Sequence, residues 1–166
     1  MKGLSIKEIE IISSLEFDKN YFFNSDEIEK FSRNKTQRYN IIKNLLKKRR
    51  IIKLNKTKYY LIPIKAKSGL WVEHPFIMAD EICDSKDYFI GGWSAAHDWR
   101  LTDQIPMQID IFTTRRQGKL KVINTRFVFH RTTKKKIEES IIKNIQKHSF
   151  RIQNKRETKK WMKSRE

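Results

Sequence analysis

The sequence predicts an α+β protein, on three observations. Apolar residues recur at helical spacing three times before residue 48, and capping residues precede the first two stretches. Short apolar runs then take over, at Ile51–Leu54, at Tyr59–Ile62 and again between residues 107 and 130. Charge is the third observation: the formal net charge is +18 and the pI about 10.1, with the excess at the two ends. Residues 1–62 carry 15 basic and 7 acidic side chains (+8), residues 134–166 carry 12 and 4 (+8), and residues 63–133 carry 10 and 8 (+2). Three segments follow from that division: an N-terminal domain at 1–62, a small mixed α/β domain at 63–133, and a basic C-terminal helix and tail at 134–166.

Ser5 and Glu8 have capping-box spacing, and Ile6, Ile9, Ile12 and Leu15 repeat behind them, so a first helix is expected over 6–15. The FDKNYFF segment follows as a short strand or loop that offers Tyr21, Phe22 and Phe23 to a core. Asn24 and Glu27 cap a second helix with Ile28 and Phe31 facing inward, and Ser32 to Asn34 turn the chain into a third. On that third helix Ile41, Ile42, Leu45 and Leu46 form one side. Thr36, Asn40, Lys43 and Lys47, flanked by Gln37 and Asn44, form the other. Arg38 breaks the pattern, because it projects into the apolar sector. A hairpin with the tip Asn55-Lys56-Thr57-Lys58 comes directly after.

Three helices and a hairpin in this order make a complete winged helix-turn-helix. Amides suit the work of a recognition helix, because Asn and Gln pair bidentately with an adenine edge while lysines hold phosphates without reading sequence. Thr36, Gln37, Asn40, Lys43, Asn44 and Lys47 are therefore the candidate DNA-contacting residues, with Asn55, Lys56 and Lys58 on the wing. An Ile- and Lys-rich composition can raise the lysine count without functional meaning, so the distribution of charge carries more than its sum. Double-stranded DNA is the expected partner. An RNA-binding or protein-interaction winged helix is the alternative.

Composition changes at Pro63. A short helix is expected from Trp93 to Arg100 after Gly91-Gly92, and residues 107–130 read as two antiparallel strands joined at Gln117-Gly118. Ile137, Ile141, Ile142 and Ile145 predict a last amphipathic helix over Lys134–His148, with a frayed basic tail beyond Phe150.

The chemistry-bearing residues weigh against an enzyme. Ser94, His97 and Asp98 lack a nucleophile elbow, and the small residues around them read as a packed helix face. His74, His97, His130 and His148 have no metal-ligand spacing, and Glu73, Asp80, Glu81 and Asp84 lack a phosphate-cradling loop, so they read as a solvated acidic patch. Trp71, Trp93, Trp99 and Phe76 read as core rather than as stacking platforms for bases. No cofactor or metal is expected. With Cys83 alone an intrachain disulfide is impossible, and no run has the length and apolarity of a membrane span or signal core. A soluble, cytoplasmic protein with no membrane partner is expected.

YYLIPIKAKSGLWVEHPF, then ADEICD, then YFIGGWSAAHDWRLTDQIP and the TTRR at Thr113–Arg116 resemble the AbiEi family, over about residues 1–130. These are antitoxins of type IV toxin–antitoxin abortive-infection systems, which act in viral defence. The resemblance implies an N-terminal winged helix-turn-helix that binds the operon's own promoter. It also implies a C-terminal domain that counters a nucleotidyltransferase-like toxin without forming a stable complex with it. Family members continue after the TTRR strands into further helices and strands, whereas here a lysine-rich helix is expected. Repression is thus implied more directly than neutralisation.

Overall fold

The computed structural model of the chain describes residues 3–66 and 73–165. Two units result, Met1–Trp71 and Val72–Glu166, and both combine helices with a sheet, so the fold is α+β. Trp71, weighed above as a core aromatic, lies outside the described residues.

The first unit runs α1 (Ile6–Phe17), β1 (Phe22–Asn24), a 3-10 helix (Ser25–Phe31), α2 (Lys35–Lys47), β2 (Ile51–Lys53) and β3 (Lys58–Leu61). The capping box forms: the Glu8 N–H donates to Ser5 Oγ at 3.3 Å, and the Ser5 N–H donates to Glu8 Oε2 at 2.6 Å. Expected as an ordinary helix, the second is instead a 3-10 turn, with the Asn24 N–H donating to Glu27 Oε1 at 2.8 Å. FDKNYFF resolves into β1, which pairs antiparallel with β3, giving a sheet ordered β1-β3-β2.

Ile11, Ile12, Leu15, Phe23, Ile28, Ile41, Ile42, Leu45, Ile51, Tyr59 and Leu61 form one buried cluster beneath this sheet. Burying each such side chain contributes about 1.5–3 kcal/mol, so this cluster sets the rotation of α2. Arg38 is accounted for by the neighbouring 3-10 helix. Its side chain is buried, and its guanidinium reaches Asp26 at 3.0 Å and Glu29 at 3.3 Å on the 3-10 helix, as ion pairs rather than aligned hydrogen bonds.

The second unit runs α3 (Pro75–Cys83), β4 (Tyr88–Gly91), α4 (Gly92–Asp98), β5 (Ile109–Thr113), β6 (Gly118–Val122), β7 (Thr125–Arg131), α5 (Lys134–Glu138), β8 (Ile141–Ile145), β9 (His148–Ile152) and α6 (Lys155–Lys163). Its sheet has the order β6-β7-β5-β4-β9-β8. Gly91 and Gly92 join β4 to α4 for two different reasons. A Cβ at Gly91 would lie 2.7 Å from the Phe112 ring, and Gly92 has φ +60 against Asp110.

Three expectations fail here. The strand pair joined at Gln117-Gly118 does not form: β5 pairs parallel with β7, and the hairpin is β6–β7, turning at Ile123-Asn124. Gly118, with φ +128, opens a strand, while Ile123 takes the φ of +53 where a hairpin usually places glycine. The helix over Lys134–His148 ends as α5 at Glu138, with Ser140 Oγ donating to the Ile137 carbonyl at 2.5 Å. Ile141, Ile142 and Ile145 then lie in β8, which suits β-branched side chains, and β8 turns into β9 at Gln146-Lys147, both at positive φ. The basic tail is ordered as β9 and α6. Asn154 Oδ1 accepts from the Glu157 N–H at 2.8 Å, Thr158 is fully buried, and Trp161 meets Trp93 edge-on at 5.3 Å.

Candidate nucleic-acid interface

α2 starts at Asn34, whose Oδ1 accepts from the Gln37 N–H at 2.8 Å, while Gln37 Oε1 accepts from the Arg33 N–H at 2.7 Å. Gln37 is half-buried, and its acceptor oxygen is taken up in this cap. Bidentate pairing with adenine needs that oxygen free, so Gln37 acts first as a capping residue. Thr36, Asn40, Lys43, Asn44 and Lys47 are all exposed, on the side opposite Ile41, Ile42 and Leu45. Tyr39 stands among them at 65% exposure, and Lys35 precedes them; neither was singled out from sequence.

The hairpin tip is built on Asn55, whose Oδ1 accepts from the backbone N–H groups of Thr57 at 3.0 Å and Lys58 at 2.9 Å. Asn55 therefore shapes the turn. Lys56 is exposed at the tip, Lys58 is half-buried on β3, and Lys53, not foreseen, is exposed on β2. Both hairpin lysines and helix lysines belong to a stretch with a simple property: between Glu29 and Glu73 the chain holds no acidic residue.

Some cations of that stretch are used internally. Arg38 pairs with the 3-10 helix, and Lys48 Nζ lies 2.5 Å from Glu8 Oε2, joining the end of α2 to the first turn of α1. Burial acts to raise the Glu8 carboxyl, but Lys48 and the Ser5 backbone and hydroxyl outweigh it and hold it below the ordinary range. Lys35, Lys43, Lys47, Lys53 and Lys56 have no carboxylate partner among the described residues. Five exposed ammonium groups on one helix and its adjoining hairpin form a cationic surface on which phosphates can bind.

Several of the residues weighed for chemistry in the second unit are held in structural roles. Ser94 is fully buried, its Oγ donating to the Gln108 carbonyl at 3.0 Å and accepting from the Asp110 N–H at 3.3 Å, so it has no capacity left for a nucleophile's role. Asp80 does not belong to a solvated patch. It is buried, and its carboxylate accepts from Tyr88 Oη at 2.6 Å and Ser85 Oγ at 2.7 Å, with His148 Nε2 at 2.9 Å. His148 also lies 4.0 Å from Glu81, so Asp80, Glu81 and His148 form a group able to hold a cation, which sequence spacing concealed because His148 arrives from β9. Burial pushes the Cys83 thiol up to about 12, which leaves it unreactive. Trp99 Nε1 donates to the Gln153 carbonyl at 2.8 Å, and Phe76 packs on Phe150.

A mixed α+β chain of two units, with a cationic helix–hairpin face on the first, is the class these features define. No family model matches the sequence, and no curated protein matches it. Among solved structures the chain is similar to the crystal structure of the RV2827C protein from Mycobacterium tuberculosis, with a TM-score of 0.53 and 15% identity over 80% of this chain and 48% of that one. The chain thus spans about half the length of that protein, and the likeness is one of fold. No described helix is long and apolar enough to cross a membrane.

Proposed function

We propose that the first unit is a winged helix-turn-helix, with α2 as the recognition helix and the β2–β3 hairpin as the wing, and that the protein is a sequence-specific DNA-binding transcriptional regulator. One observation carries this reading. The stretch without a carboxylate between Glu29 and Glu73 presents Asn40 and Asn44 in the open, with five exposed lysines on the same helix and the hairpin that follows it. Amides that read bases among cations that hold phosphates are what a groove-entering helix needs. The resemblance noted in the sequence extends the proposal to an AbiEi-type antitoxin that represses its own type IV toxin–antitoxin operon in the cytoplasm. Its pairing with a nucleotidyltransferase-like toxin, without a stable complex, rests on that resemblance alone. No catalysis is proposed.

Salt dependence tests the reading. If Lys35, Lys43, Lys47, Lys53 and Lys56 each neutralise a phosphate, log K for duplex DNA should fall against log salt with a slope of about −4 to −5. A slope near zero removes duplex DNA as the partner. Equal affinity for single-stranded RNA transfers the proposal to an RNA-binding module.

A further inference from the structure

A cleft of about 740 Å³ opens in the second unit between the start of α3, the end of α4 and the segment after it. That volume lies within the range of small-molecule sites, about 300–1,000 Å³. GGWSAAHDWRLTDQIP, which carries the family resemblance, supplies most of its wall, yet the proposed DNA contacts make no use of it.

Its polar lining is unusual in what is left unpaired. His74 Nδ1 accepts from the Phe76 N–H at 3.2 Å, so the neutral ring carries its hydrogen on Nε2, which has no partner among the described residues. Partial burial holds the His74 imidazole below its ordinary value against the pull of Asp98, which favours the neutral ring over the charged one. His97 and Arg100 are exposed, and their side chains have no hydrogen-bond or ionic partner among the described residues. Of the two carboxylates in the wall, Asp98 is paired with Lys143 Nζ at 2.6 Å, leaving Asp103 open. Besides Ser94 and Thr102, the rest of the wall is apolar and includes Phe76, Pro106 and Ile105, the last 75% exposed to water.

Each part excludes a simpler ligand. Inorganic phosphate would leave most of the volume and the apolar wall unused, and an uncharged apolar ligand would offer Arg100, His97 and Asp103 no polar partner. The open Asp103 calls for donors on the same molecule. We propose that this cleft binds a nucleoside phosphate, with the phosphate on Arg100, His97 and His74 Nε2, the base against Phe76, Ile105 and Pro106, and sugar or base donors on Asp103. Ser94 is sealed in backbone hydrogen bonds and takes no part in holding the ligand.

Arg100 also provides a clean test. It sits at φ +54, in the turn that ends α4, where the Leu101 N–H reaches the Ala96 carbonyl; glycine is at ease there, so Arg100→Gly removes the guanidinium and relieves the backbone together. The full chain is titrated calorimetrically with AMP, GMP, CMP and UMP at about 0.15 M salt, where the general attraction of anions to a basic surface is screened. At least one should bind saturably and shift the ring resonances of His74 and His97. Its nucleoside and inorganic phosphate should each bind about tenfold more weakly or worse. Arg100→Gly should lose at least about tenfold in affinity while the melting temperature stays unchanged or rises. Absence of saturable binding by all four up to roughly 5 mM overturns the proposal. Binding that survives Arg100→Gly, or that leaves both histidines unmoved, overturns it too by placing the anion elsewhere on the cationic surface.

Discussion

Replacing Glu8 with Gln should loosen the first unit in a pH-dependent way. The carboxylate is 4% exposed, and it accepts from the Ser5 N–H at 2.6 Å and from Lys48 Nζ at 2.5 Å. Glutamine keeps the shape and one acceptor but leaves Lys48 without a counter-charge. Hydrogen bonds to charged groups contribute about 1.5–3 kcal/mol each, so a loss of roughly 2 kcal/mol is expected at neutral pH. With a urea slope of about 1–1.5 kcal/mol per molar for a unit of this size, the midpoint should fall by about 1.5–2 M. The sign with pH follows from the lowered carboxyl. The unfolded group titrates near 4.5 and the folded one lower, so the contribution is complete above that value and is lost as pH falls through the folded value. Urea titrations read from the methyl resonances of Ile12 and Ile42 report the first unit by itself. A difference between wild type and Glu8→Gln that is the same at pH 3 as at pH 7 would refute the reasoning, as would no difference at pH 7.

Two further outcomes are expected in the second unit. Deleting residues 154–166 removes the buried Thr158 and the Trp161 contact to Trp93, and should cost about 2–4 kcal/mol, seen as a lower thermal midpoint by circular dichroism; an unchanged midpoint would show that α6 does not dock. Gly91→Ala places a methyl 2.7 Å from Phe112, whose ring is held between Phe89 at 5.1 Å and His130 at 4.8 Å, so it should destabilise by about 1–3 kcal/mol in denaturant titration, and no change would mean the ring moves freely.

What was legible in the sequence was whatever is written in local signals. Ser5 with Glu8 and Asn24 with Glu27 mark helix starts, and the spacing of Ile41, Ile42 and Leu45 sets the buried face of α2. Arg38 looked misplaced because its partners, Asp26 and Glu29, lie on a different element, which no helical projection reveals. The C-terminal third failed for a related reason. Ile137, Ile141, Ile142 and Ile145 satisfy helical spacing, but Gln146-Lys147 and Ile123-Asn124 turn hairpins without the glycine that usually announces one. Asn154 with Glu157 was a visible capping pair that the surrounding lysines masked. The cation-capable group and the cleft were hidden because Asp80 meets His148, and His74 meets Arg100, only after the chain has folded.

The central claim is that α2 reads bases with its amide and holds phosphates with its lysines, and one binding comparison tests it. Asn40 and Lys43 are exposed on the same face, one turn apart, so truncating either leaves the core untouched. Fluorescence anisotropy with wild type, Asn40→Ala and Lys43→Ala is measured on duplex DNA from upstream of the protein's own reading frame and on random duplex. Asn40→Ala should lose about 1–3 kcal/mol on the promoter and little on random DNA. Lys43→Ala should weaken both alike and flatten the salt slope by about one unit. If Asn40→Ala weakens both DNAs equally, or neither, α2 does not read the promoter, and the account is contradicted at its centre.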